Sequence, residues 1–352
     1  MKIFLPGPTD VRPSIRNEMA RPPVGHRSGE FRALHREIQG PLRRLLGVER
    51  PVYLVTSSAT GVMEAAIRNC VRRRSLHLIC GAFGERWCEI AVANGKETRT
   101  VRVEPGKAIQ PSQVREALKG DEIDAVALVH NETSTGVINP LREIAAVVRE
   151  FPGVLLLVDA VSSLGAVPIP VADLRIDVCL AGVQKALALP PGASVCAVSE
   201  DALERAKTVP HRGLYFDFFQ YEENAARDEA PFTPSIPHLY ALRQQLKDIE
   251  AEGLERRYQR HAEMAHHVQK WARSRFDLLP EPGVESPTVT AVKDTRGADV
   301  GKLRQALREK GKVVASGYGP FKKTGFRIGH MGDLTLEDVQ ELTRDIDELL
   351  EG

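Results

Sequence analysis

Short apolar runs bounded by turn residues alternate with segments of helical period through the first two thirds of the chain. The runs at 52–56, 76–80, 98–103, 124–130, 154–158, 176–180 and 195–198 predict strands. Helical period predicts helices over 31–46, 62–73, 111–118 and 141–150, and another beginning after Trp87. Such alternation implies an α/β fold with a largely parallel sheet covered by helices on both faces. Beyond residue 240 the texture changes. A long, charged helical pattern spans 239–272, then come a strand at 288–292, a helix at 300–310 and short strands near 313 and at 326–329. Thr335 and Asp338 open a last helix in the manner of a capping box. The Pro- and Phe-rich stretch 216–237 reads as a loop crossing between domains or subunits. FLPGPT at 4–9 reads as a stiff extended arm. A chain of 352 residues exceeds one ordinary core. The division expected is an N-terminal arm (1–13), a large domain (14–240) and a smaller α+β domain (241–352).

Charge removes several function classes. Lys and Arg total 48 against 47 Asp and Glu, a net charge of +1, so no dedicated nucleic-acid or membrane surface is expected. The one basic run, Arg72-Arg73-Arg74, is expected to close the 62–73 helix, where cations complement the dipole. Cys70, Cys80, Cys88, Cys179 and Cys196 form no CxxC pair and suit reduced, buried thiols in a cytoplasm. The opening residues match neither a signal peptide nor an anchor, and no apolar run is long enough to span a bilayer.

Candidate chemistry gathers just past the strands, where parallel sheets bind ligands. Phe83, Thr133 and Asp159 each lie there. The turn 57–61, SSATG, precedes a helix and offers uncapped N–H groups to a phosphate; an ordinary Ser58 or Thr60 cap explains it equally well. It is neither a Walker loop nor GxGxxG. Lys185 follows an apolar strand and precedes ALALPPG, where an ammonium is costly unless used. A desolvated lysine can form a Schiff base, and an acid ending an apolar strand suits a pyridinium nitrogen. Separately, Asp159 and Lys185 need be no more than an ion pair. Together with Phe83 as a ring face and 57–61 as a phosphate seat, they describe a pyridoxal phosphate site.

These residues carry a family resemblance along nearly the whole chain. FLPGPT, HRSGEF, SSATGVMEAA, GAFGERW, HNETSTGVINP, VDAVSSLGAVP, AGVQKAL and FRIGHMG resemble the class V, fold-type I pyridoxal-phosphate aminotransferases of the alanine–glyoxylate and serine–glyoxylate group. The resemblance implies a large domain with a mostly parallel seven-stranded sheet between helices, followed by a smaller α+β domain. It also implies a homodimer whose active site lies at the subunit interface. It makes Lys185 the Schiff-base lysine and Asp159 the partner of the ring nitrogen. Phe83 would stack on the ring and Thr133 would hydrogen-bond the cofactor. Ser58, Ala59, Thr60 and Gln184 would hold the phosphate, with Thr233 reaching it from the partner subunit. Arg327 would clamp the substrate carboxylate, and the Gly7 backbone would approach the substrate. His26 and Arg27 match a motif near the mouth of the site, where a structural role is as good an explanation.

The sequence also departs from the family pattern. Val183 stands where a hydroxyl is common, SSAT replaces a more glycine-rich turn, and Phe232 cannot donate as a nearby tyrosine does in some relatives. His266 and His267 sit on a charged helix and read as a solvated face, not a metal site. The expected reaction moves an amino group from a small amino acid to a 2-oxo acid such as glyoxylate or pyruvate, Lys185 serving as acid and base in turn. No second arginine is assignable to a side-chain carboxylate, which favours alanine, serine or glycine over dicarboxylic donors. Rivals are a 2-aminoethylphosphonate–pyruvate transaminase, a lyase or a cysteine desulfurase of the same fold, and a non-enzymatic α/β binding protein. The desulfurase is disfavoured because no cysteine follows Cys196.

Overall fold

All seven apolar runs become strands of one sheet in the computed structural model, which describes residues 1–120 and 122–351. Their spatial order is Val52–Val55, Ser194–Val198, Val178–Gly182, Leu155–Asp159, Ala125–Val129, Arg74–Ile79 and Glu97–Arg102. The last five run parallel, and Ser194–Val198 is antiparallel to both its neighbours. Period-two alternation sends successive residues to opposite faces. Val126, Leu128, Leu156 and Val158 join one core with the helices Gly29–Leu46, Leu141–Val148 and Ile236–Glu252. Ala125, Ala127, Leu155 and Leu157 join a second core with Ala59–Cys70, Ala82–Ala93 and Phe218–Ala225. Because both faces are covered, the central strands are apolar throughout, which is why they read as runs instead of alternating.

A five-stranded sheet forms the second unit, in the order Lys2–Phe4, Lys312–Ser316, Gly325–Gly329, Val289–Lys293 and Asp277–Leu278. Its core takes Phe326, Ile328, Val314 and Phe4 against the helices Leu254–Arg275, Val300–Glu309 and Leu336–Glu351. The N-terminal arm is therefore an edge strand of the C-terminal sheet, pairing Ile3 with Val313 in parallel.

Several expectations hold and several change. The helix Pro111–Leu118 falls where predicted, and Thr335 and Asp338 exchange both capping-box hydrogen bonds, at 2.8 and 3.2 Å. All five cysteines are free and buried. Among the described residues, no helix is long and apolar enough to cross a membrane. The 62–73 helix instead spans Ala59–Cys70, so the arginine run lies beyond it. Strand pairing claims Arg74, Arg72 bonds Asp124, and Arg73 and Arg74 reach Glu97. The long pattern at 239–272 is two helices, Ile236–Glu252 and Leu254–Arg275, broken at Gly253 by its φ of 84°. Within 216–237, Asp217 accepts the Phe219 N–H and starts the helix Phe218–Ala225. His266 is exposed, as expected, but His267 is partly buried and bonds Thr343 at 3.0 Å. The hairpin Asn131–Glu132 with Val137–Ile138 was not readable as apolar alternation, being too short and polar.

Candidate active site

Adjacent parallel strands bring the two charged residues to the same edge. Asp159 is the last residue of Leu155–Asp159, and Lys185 stands three residues past Val178–Gly182, the next strand. Both line a cavity of about 260 Å³. Burial pushes the Asp159 carboxyl up to about 7, although the Val161 N–H donates to it at 2.7 Å. Burial pulls the Lys185 ammonium down to about 8, against the attraction of Asp159. The amine donates to the Pro6 carbonyl of the N-terminal arm. Thr9 continues that attachment, its N–H bonding Gln184 O at 3.1 Å and its hydroxyl Lys185 O at 3.0 Å.

The N-terminus of the helix Ala59–Cys70 forms another wall through Ser58, Ala59 and Thr60. Ser58 occupies the N-cap but its side chain makes no capping bond, so the capping alternative fails and first-turn N–H groups stay available to an anion. Gly61 leaves the turn room that a side chain would take. A Cβ there would lie 2.2 Å from Ser57 Oγ and 2.8 Å from Phe216 Cζ.

Phe83 and Thr133 complete the wall, with Gln184 and Gly7 beside Lys185. Gly7 has a φ of +124°, and a Cβ on it would come within 2.5 Å of Lys185 Cδ and Cε. Side chain and arm are thus packed with no room for a methyl group. Two predicted residues do not line the cavity. Arg327 stands beside it, its guanidinium donating to Thr133 O at 2.9 Å and to Ser316 O at 3.1 Å. Burial lowers its pKa while Tyr318 and Glu132 act in the other direction. Thr233 is exposed and makes no contact with the cavity in this single chain. Arg27 bonds Glu229 and the Ala230 carbonyl, which ties the HRSGEF segment to the loop before Thr233.

Sequence reasoning missed four residues that build the site. Glu132 is fully buried and accepts from the Phe83 and Gly84 N–H groups and from the Ser134 N–H and hydroxyl. A carboxylate there caps the helix Ala82–Ala93 and fixes where Phe83 points. Its place in ETSTG, ahead of three hydroxyl residues, was the available signal. Arg257 bonds the carbonyls of Gly165 and Ala186 at 3.0 and 2.6 Å, holding the backbone next to Lys185. It lies in a helix so charged that nothing in the pattern singled it out. Arg86 and Asn131 also line the cavity. The Arg86 guanidinium lies 5.0 Å from the Phe83 ring centroid, and Asn131 bonds Ser162 O and Thr288 Oγ1. The arrangement suits a planar aromatic aldehyde bearing a phosphate, with an amine to hold it and a buried acid to meet a ring cation.

Comparison with known proteins agrees with that chemistry. The family described as Aminotransferase class-V matches residues 15–339. An uncharacterized aminotransferase of Methanocaldococcus jannaschii is 38% identical over 338 residues, covering 94% of this chain and 87% of that protein. The serine–glyoxylate aminotransferase of Methylorubrum extorquens is 32% identical, covering 94% and 86%. The crystal structure of an alanine–glyoxylate aminotransferase from Nostoc sp. superposes with a TM-score of 0.93 at 32% identity, covering 99% and 94%. The chain belongs to the class V aminotransferases, pyridoxal-phosphate-dependent transferases of fold type I, and its function is transamination.

Proposed function

We propose that this aminotransferase moves the amino group of a small donor such as alanine or serine to glyoxylate or pyruvate, with pyridoxal phosphate held in the cavity between Lys185 and Asp159. The observation that carries the reading is the convergence of a buried amine, a buried carboxyl and an uncapped helix N-terminus on one cavity. The residues fit the cofactor. Ser58, Ala59, Thr60 and Gln184 would hold its phosphate, Phe83 its ring face, Thr133 its polar edge, Asp159 its ring nitrogen and Lys185 its aldehyde carbon. Bound there, the cofactor supplies an electron sink for the pair left when the donor loses its α-proton.

The chain's own residues supply the rest. Lys185, desolvated toward its neutral form, would take a proton from the donor's α-carbon and return it to a carbon two atoms away. Asp159 balances a cationic ring nitrogen that burial otherwise leaves without a counter-charge. Arg327, held by two backbone carbonyls, presents its free edge to a carboxylate, and the Gly7 backbone closes over the substrate. The decisive measurement is a panel of amino donors against glyoxylate and pyruvate. Small neutral donors are expected to lead; equal turnover of dicarboxylic donors would overturn the substrate class. Arg327→Ala is expected to raise the donor KM by about 100-fold with a smaller change in kcat, because a carboxylate contact is made before and during the reaction alike. An unchanged KM would remove Arg327 from that role.

The same proposal includes a homodimer in the cytoplasm. The expected domain division (1–13, 14–240 and 241–352) is supported by the two separate sheets, and a reducing compartment suits five free thiols. Thr233, exposed here, would reach the phosphate of the partner subunit. Light scattering on the holoenzyme is expected to give twice the chain mass. A monomer with full cofactor occupancy would take Thr233 out of the site.

A further inference from the structure

A second cavity of about 540 Å³ lies against the first and is larger than it. Ile79, Val103, Leu279, Pro320 and Phe321 give it mainly apolar walls. The two share a partition: Phe83 and Thr133 face the first cavity, while their chain neighbours Ala82 and Ser134 face the second. Tyr318 stands at the end of that partition and lines the second cavity. Its ring centroid lies 6.4 Å from that of Phe83 and 5.4 Å from the guanidinium carbon of Arg327. The aromatic ring therefore sits between the carboxylate clamp, the ring face and the apolar space beyond.

Arg327 cannot move aside to relieve crowding, since Thr133 O and Ser316 O both hold it. A donor whose carboxylate meets Arg327 must project its side chain from an α-carbon only one bond away from that carboxylate. Tyr318 lines the larger cavity with its ring 5.4 Å from the guanidinium carbon of that clamp. We propose that Tyr318 sets the upper size of the amino donor, its ring closing the way from the Arg327 clamp into an apolar cavity that would otherwise accept a branched or aromatic side chain. The inference rests on the reading of Arg327 as the carboxylate clamp and names the substrate limit of that same site.

Removing the ring should convert a small-donor enzyme into one that takes larger apolar donors. Tyr318 is about one third exposed, so its truncation spares the core. In Tyr318→Ala, kcat/KM for L-leucine relative to L-alanine is expected to rise at least 10-fold, the low end of what one methylene is worth in an apolar pocket. Tyr318→Phe, which keeps the ring, is expected to keep the wild-type ratio. Filling the cavity with Val103→Phe, another residue of its lining, in the Tyr318→Ala background is expected to abolish the gain. If the ring served only to steady Arg327, both donors would lose equally and the ratio would stay put, which overturns the proposal. A gain that survives Val103→Phe overturns it too, because the side chain then goes elsewhere. A wild type that turns over neither donor, while still binding the cofactor, overturns the small-donor reading and the inference with it. A wild type active on alanine whose ratio ignores Tyr318 overturns the inference alone.

Discussion

Lys185→Ala is expected to give a folded, colourless protein with transamination lowered by about 10⁴-fold or more, the upper end of what a positioned acid–base group contributes. The wild type mixed with pyridoxal phosphate should be yellow, and the visible band should be absent in the variant. Among the described residues no other lysine lines the cavity, so no second amine is placed to take its role. Folding should not suffer. Burial holds the Lys185 pKa near 8, below its ordinary 10.5, so the unfolded chain binds more protons than the native one between those values. The stability of the cofactor-free protein therefore rises with pH through that window, by at most about 1.4 kcal/mol per pH unit from this group. Lys185→Ala removes that slope and relieves a desolvation cost at neutral pH. Urea unfolding at pH 7.5 and 9.5 reads both effects. A variant that keeps the band and the turnover would end the assignment.

Asp159→Asn is expected to lower kcat/KM by about 10²- to 10³-fold while leaving the protein yellow, because Lys185 is intact and only the charge facing the ring nitrogen is lost. The amide retains an oxygen for the Val161 N–H, so geometry is preserved while charge is not. The pH dependence runs opposite to that of Lys185. Burial raises the Asp159 pKa from 3.8 to about 7, so the native state holds the extra proton in that range. Its contribution is fully present below the lower value and lost as pH rises toward 7. The asparagine variant should flatten that part of the stability profile in the cofactor-free form. A loss of activity under 10-fold would show that the charge is dispensable.

The central strands of the large sheet were legible because they are buried on both faces, so they appear as unbroken apolar runs between turns. Asp159 and Lys185 stood out for the same reason: a charge that ends such a run has no ordinary place to go. What stayed hidden was set by contacts between distant residues. Glu132 looks like a surface acid until the fold delivers the first turn of the Ala82–Ala93 helix to its carboxylate. Arg257 looks like one more charge on a solvated helix until Gly165 and Ala186 offer it two carbonyls. The break at Gly253 left only one residue as a signal, and the flanking periodicity drowned it. Tyr318 carried no motif at all, and its meaning comes from a cavity that a linear pattern cannot register.

The N-terminal strand pairs with Lys312–Ser316, and a few residues later its Pro6 carbonyl meets the Lys185 amine and Thr9 meets the backbone at Gln184 and Lys185. On a ribosome, residues 2–4 thus have no strand partner until residues 312–316 are made. The large sheet can assemble earlier, but the amine at its edge must wait for a strap anchored on a late strand. Completion of the site therefore waits on the strand at 312–316, and a nascent protein lacking that sheet has Lys185 without the cover that desolvates it.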